Sequence, residues 1–162
     1  MNGKSRFSVL GIDPGMTGAM ALYNGYELLI WDMPVHKRNK TKRPDCHAIS
    51  RIMAENHIDH AYIEQVNAFN MGATSAYNFG WACGVLEACL ACHSVPFTYI
   101  TPQRWKKFMD VPIEKDAARA RASQLLPEHS HNWDLKKHDG RAEAAIITLY
   151  GLKYRQVQCN DA

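Results

Sequence analysis

The chain has 162 residues, 46% of them hydrophobic and 22% charged, with a formal net charge of +3. That is enough for one domain with a real core, and so mild an excess of positive charge does not by itself argue for a nucleic-acid partner. No run of eighteen or more apolar residues is present, which excludes a membrane-spanning helix. The opening Met-Asn-Gly-Lys-Ser-Arg lacks the apolar stretch of a signal peptide, so a cytoplasmic location is expected. The cysteines are Cys46, Cys83, Cys89, Cys92 and Cys159. An odd count without a secretion signal argues against a disulfide framework, and the lone Cys89–Cys92 CxxC reads as small buried thiols more readily than as a zinc site.

In chain order, Phe7 to Asp13 reads as a strand broken by Asp13-Pro14-Gly15. Gly18 to Tyr23 and Glu27 to Met33 are two further strands joined through Asn24-Gly25, a hairpin signal, so the chain opens with an antiparallel meander. His36 to Pro44 carries Lys37, Arg38, Lys40, Lys42 and Arg43 with no large apolar residue, and is expected to be an exposed, mobile loop. Cys46 to Asn56 has helical spacing, and His60 to Val66 reads as a buried strand holding Glu64.

Gly72 to His93 is the longest helical pattern, with Gly72, Ala76, Gly80, Gly84 and Ala88 recurring every fourth position to give a smooth face for close backbone approach. Val95 to Ile100 is a short strand. Thr101-Pro102 opens a helix as N-cap and first residue. Lys115 to Leu126 is a helix stopped by Pro127, and Asp139 to Leu149 is the last helix, with Gly151 marking its end. The order predicts one α/β domain spanning residues 1–162.

Four carboxylates stand out. Asp13 lies where a strand meets a tight turn; an Asx turn or helix cap would explain it, but the flanking Gly11 and Gly15 leave room for a ligand. Glu64 lies in the strand Ala61–Val66, where a charge is costly unless paired or bound to metal, the alternative being an edge residue facing water. Asp139 and Glu143 are four apart on one helix face, either as metal ligands or as a solvated acidic face. Hard cations such as Mg2+ take oxygen ligands, and two of them about 4 Å apart can clamp a phosphodiester. His138, just before Asp139, could orient or protonate a phosphate or simply begin a helix. Lys136 and Lys137 could hold phosphate oxygens or merely face solvent.

These motifs resemble those of RuvC-type Holliday junction resolvases. Gly-Ile-Asp-Pro-Gly-Met-Thr-Gly at 11–18 is similar to the family's opening motif, Ile63-Glu64-Gln65-Val66 to its second acidic motif, and Lys137-His138-Asp139-Gly140-Arg141-Ala142-Glu143-Ala144 to its third, especially in phage-borne members. Pro102-Gln103-Arg104-Trp105-Lys106-Lys107 resembles the segment before the family's penultimate helix. The resemblance is collinear over nearly the whole chain. It implies an RNase H-like fold with a mixed five-stranded sheet flanked by helices, and Mg2+ (or Mn2+) held by Asp13, Glu64, Asp139 and Glu143, with His138 assisting catalysis. It further implies a homodimer through helix 72–93 that nicks four-way DNA junctions symmetrically. A phage-encoded member would act in the host cytoplasm.

Two departures are visible. The last acids are four apart where bacterial members have aspartates three apart. The family's aromatic wedge position is Asn67 here, and the nearest aromatic is Phe69. The clusters Lys37–Arg43, Arg104 with Lys106 and Lys107, and Lys136 with Lys137 would bind phosphates without reading sequence, or serve only as surface charge, as Lys115, Arg119 and Arg121 more readily do. Rival readings are an actin-like ATPase or sugar kinase, for which one lobe is too little chain, a non-catalytic junction-binding module, and a broader nuclease for flaps, forks or RNA–DNA hybrids.

Overall fold

Alternation along the strands decides which side chains meet which helical layer. The computed structural model of the chain describes residues 7–38, 41–65, 71–114 and 116–160. Strands β1 (Val9–Asp13), β2 (Ala19–Tyr23) and β3 (Leu28–Asp32) form the expected antiparallel meander. β6 (His60–Glu64) pairs parallel with β1, and β7 (Phe97–Ile100) pairs parallel with β6. The five-stranded order is β3-β2-β1-β6-β7, and the mixed sheet agrees with the expectation. A separate hairpin of β4 (Val35–Arg38) and β5 (Thr41–Pro44) lies between β3 and the first helix.

On one face of the sheet, Leu10, Ile12, Met20, Leu22, Ala61 and Ile63 pack with Ile49 and Met53 of α1 (Cys46–Glu55) and Leu86 and Leu90 of α2 (Ala73–Cys92). On the other, Val9, Ala19, Ala21 and Tyr62 meet α3 (Pro102–Phe108), α4 (Ala117–Leu125) and α5 (Asp139–Asn160). The small residues of β1 and β2 let α5 come very close. A Cβ on Gly11 would strike the Ala144 carbonyl and the Thr148 hydroxyl. That hydroxyl is buried, and its single proton lies within reach of two acceptors, Ala21 O and Ala144 O, each at 2.9 Å. Asp45 caps α1 through the backbone amides of His47 and Ala48, and Thr101 caps α3 with Pro102 at the first turn, as its sequence predicts.

Two expectations are corrected. Residues 36–38 and 41–44 are not loop but make up most of the paired strands β4 and β5. The stability of this hairpin comes from a distant part of the chain: the Arg43 guanidinium lies 4.3 Å from the centroid of the Trp81 ring and 5.5 Å from that of Tyr77, and donates to Asn78 Oδ1 at 2.8 Å. Gly151 does not end the last helix, which runs on to Asn160. It is a packing glycine, since a Cβ there would lie 2.5 Å from the Tyr62 ring. Arg43→Ala should therefore loosen the hairpin while leaving the two cores intact. Hydrogen exchange of the 35–38 and 41–43 amides should accelerate strongly, while global stability falls by only about 1–2 kcal/mol. Uniform acceleration across the sheet would refute this local role.

Candidate metal and nucleic-acid site

Parallel pairing brings the first two acids together. Ile12 of β1 stands opposite Ile63 of β6, and Asp13 and Glu64 are the next residue on each strand. Both follow the alternation of Gly11 and Tyr62, so both project toward α5. Asp13 is fixed from two further sides. Its Oδ1 accepts from the Gly15 amide at 3.4 Å, within a turn closed by Gly18 N donating to Gly15 O at 2.9 Å. A Cβ on Gly140 would lie 2.9 Å from Asp13 Oδ2, so glycine in the first turn of α5 is what admits this carboxylate.

Glu143 completes the cluster from α5. Burial is the main cause that pushes Asp13 up to about 7, and repulsion from Glu64 and then Glu143 adds to it. Burial and Glu143 likewise raise Glu64, which is almost wholly buried. Three groups oppose this, the first being the Gly15 amide, which lowers Asp13. Trp105 Nε1 donates to Glu64 Oε1 at 2.9 Å, and Lys106 Nζ stands 3.0 Å from Glu143 Oε1 while lowering both Asp13 and Glu64. Trp105 was not among the residues expected at the site, and Lys106 was expected on DNA phosphate. The only early sign was their place in the 102–107 segment.

Asp139 stands apart. Its Oδ1 accepts from Arg119 Nε at 2.6 Å, and it is not among the leading charges acting on Asp13. Among the described residues no three His, Cys, Asp or Glu side chains are placed closely enough to hold one ion. The donor set nonetheless suits a hard divalent cation. Asp13, Glu64 and Glu143 offer only oxygen, and burial with the neighbouring carboxylates opposes ionisation of Asp13 and Glu64.

The remaining predicted residues fall on different surfaces. His138 sits beside Arg141, Lys137, Asp32 and Asp134; burial and the two cations lower it, and its buried Nδ1 has no hydrogen-bond partner among the described residues. Arg141 grips Asp32 with two bonds, Nε to Oδ1 at 2.6 Å and Nη2 to Oδ2 at 2.7 Å, which ties the start of α5 to the end of β3. Arg104 stacks on Tyr154, eleven residues beyond Glu143 on α5, and so points about 16 Å along the helix from the carboxylates. Arg43 is engaged with α2 as described. Lys37, Lys42, Lys107, Lys136 and Lys137 are exposed. Lys40, Phe69 and Lys115, with the side chain of Arg38, lie outside the described residues.

The mixed five-stranded sheet flanked by helices is the RNase H-like fold. It is shared with the structure of T. thermophilus RuvC in complex with a Holliday junction substrate, at a TM-score of 0.69 and 15% identity, covering 93% of this chain and 96% of that one. A second Thermus thermophilus RuvC structure matches at 0.64 and 18% identity, covering 94% of this chain and 97% of that one. The yeast mitochondrial Holliday junction resolvase Ydc2 matches at 0.60 and 12% identity, covering 96% of this chain and 84% of that one. No family model and no curated protein matches the sequence. At these identities the likeness defines the fold, and activity has to be argued from the site.

Proposed function

We propose that this chain is a metal-dependent endonuclease that resolves four-way DNA junctions by paired, symmetric nicks. The observation that carries the reading is the convergence of Asp13, Glu64 and Glu143 from two adjacent parallel strands and a helix, in a fold shared with proteins described as Holliday junction resolvases. Mg2+, with Mn2+ as a substitute, would supply the charge that activates water and stabilises the departing oxygen. Asp13, Glu64 and Glu143 would hold it, with Asp139 as a further ligand. Lys106 offsets part of the cluster's negative charge and would meet a phosphate once metal is bound.

His138, kept neutral by burial and neighbouring cations, is a candidate to orient the phosphate or water. Lys37, Lys42, Lys107, Lys136 and Lys137 would neutralise backbone phosphates, joined by Arg38 and Lys40. Phe69 would stack on a base at the junction centre. A homodimer would set two sites across a two-fold axis, and α2 offers the surface for it. A Cβ on Gly80 or Gly84 would meet nothing within 4 Å, and Tyr77 and Trp81 are exposed beside them. The same DNA substrate would place the protein in the cytoplasm, that of the host if a phage encodes it.

A synthetic four-way junction, incubated with Mg2+ beside linear duplex, fork and flap, tests the reading. Paired nicks at symmetric positions on the junction, with little cutting of duplex, are expected. Equal cutting of linear duplex would reject junction selectivity in favour of a broader nuclease.

A further inference from the structure

The cluster lacks one of its four expected acids, and the structure shows what holds that acid elsewhere. Arg119 of α4 contacts Asp139 Oδ1 through Nε at 2.6 Å, Asp116 Oδ1 through Nη2 at 2.9 Å, and Asp134 O through Nη1 at 3.4 Å. On the α5 wheel, Glu143 lies about 40° from Asp139, and Gly140 about 100° in the same sense. Glu143 and Gly140 both face Asp13, so Asp139 is on the flank of the site, turned toward α4. Its carboxylate and that of Asp116 are nearly half exposed, at 45% and 43%. Exposed ion pairs of this kind are weak, and a guanidinium fork fits phosphate as well as it fits carboxylate.

We propose that Arg119 is a positioning residue: it keeps Asp139 off the carboxylate site in the DNA-free protein and yields it when a DNA phosphate takes the guanidinium. The proposal rests on the metal-site reading above and adds its regulation. Cation affinity is then low until DNA is bound, so cutting is coupled to engagement of the substrate. By linkage, DNA and cation each strengthen the binding of the other.

Mn2+ titration of the full chain without DNA, followed by the EPR signal of the free ion, reads the latch without any cleavage. Arg119→Gln should bind Mn2+ about five- to tenfold more tightly than wild type, and Arg119→Lys, which loses the fork but keeps the charge, should gain less. In the double variant Arg119→Gln/Asp139→Asn the gain should vanish. A merely structural Arg119 would lower the melting temperature and leave Mn2+ affinity unchanged, and that result overturns the proposal. So does a gain that survives Asp139→Asn. Should Arg119→Gln not fold, Arg119→Lys carries the same comparison. A second readout is junction affinity with and without Ca2+: the enhancement by Ca2+ should be larger in wild type than in the Arg119 variant, and equal enhancement contradicts release by DNA. Asp13→Asn separates the two levels. If it leaves Mn2+ binding intact, the carboxylate site itself fails; if it abolishes binding while Arg119→Gln changes nothing, only the latch fails.

Discussion

Asp13→Asn should reduce strand cleavage by at least about a thousandfold while making the metal-free protein more stable at pH 8. On the proposed function Asp13 holds the metal, and removing a ligand that supports several kcal/mol of transition-state charge stabilisation would give a loss of that order. The stability gain has a separate origin. Asp13 titrates at about 7 in the folded chain against 3.8 in its unperturbed state, because burial and the neighbouring Glu64 and Glu143 disfavour its charge. The native state therefore holds the proton more tightly than the unfolded state. This contribution to stability is fully present below pH 3.8 and is lost as pH rises through about 7. Asparagine carries no such penalty, so the variant's advantage should open across that window and reach a few kcal/mol above it.

On the proposed function, Mg2+ should reverse the comparison. With a cation bound, the ionised Asp13 would be the favoured form, and binding would release protons near neutral pH. Thermal melts of both proteins at pH 5 and pH 8, with and without Mg2+, give four comparisons. Wild type should gain from Mg2+ mainly at pH 8, and Asp13→Asn should gain little at either pH. With Mg2+ raised high enough to saturate the weak site of the DNA-free protein, a wild-type melting temperature that is unaffected at pH 8 would count against Asp13 as a ligand.

The acids on the strands were legible because strand periodicity is local. A carboxylate at the end of a buried run, and another before a Pro-Gly turn, declare their positions through two-residue alternation alone. Asp139 and Glu143 were only half legible. Their four-residue spacing does place both on one side of α5, but the neighbour that separates them, Arg119, comes from another helix. The 36–44 segment was misread for the same reason. Nothing in Lys37 to Arg43 pairs strands by itself, and the ring of Trp81 that anchors Arg43 lies on α2. Gly151 shows the converse: a residue that punctuates helices in isolation is used here because the Tyr62 ring needs its space.

Gly11→Ala is expected to be a strongly disruptive single-methyl change in the core, and the reason joins fold to site. The added carbon would meet the Ala144 carbonyl, the Thr148 hydroxyl and, at 2.7 Å, the Thr148 backbone nitrogen. Backbone atoms cannot rotate away as a side chain can, so α5 as a whole must retreat from β1. Overpacking of this kind costs about 3 kcal/mol, or roughly 6–12 °C in melting temperature for a chain of this size. Glu143 immediately precedes Ala144, so the retreat also withdraws it from Asp13, and Mn2+ affinity should fall along with stability. Gly84→Ala is the instructive contrast. A Cβ there meets nothing within 4 Å in the single chain, so helix propensity alone predicts a gain of about 1 kcal/mol. If a second copy packs its backbone over that face, the gain becomes a loss, and the loss should grow with protein concentration as dimer forms. Denaturant melts of the two variants over a hundredfold concentration range thus test the closeness of α5 and the occupancy of α2 together. A concentration-independent gain for Gly84→Ala would place any dimer contact elsewhere, and a mild effect of Gly11→Ala would mean that α5 can slide on the sheet without losing the site.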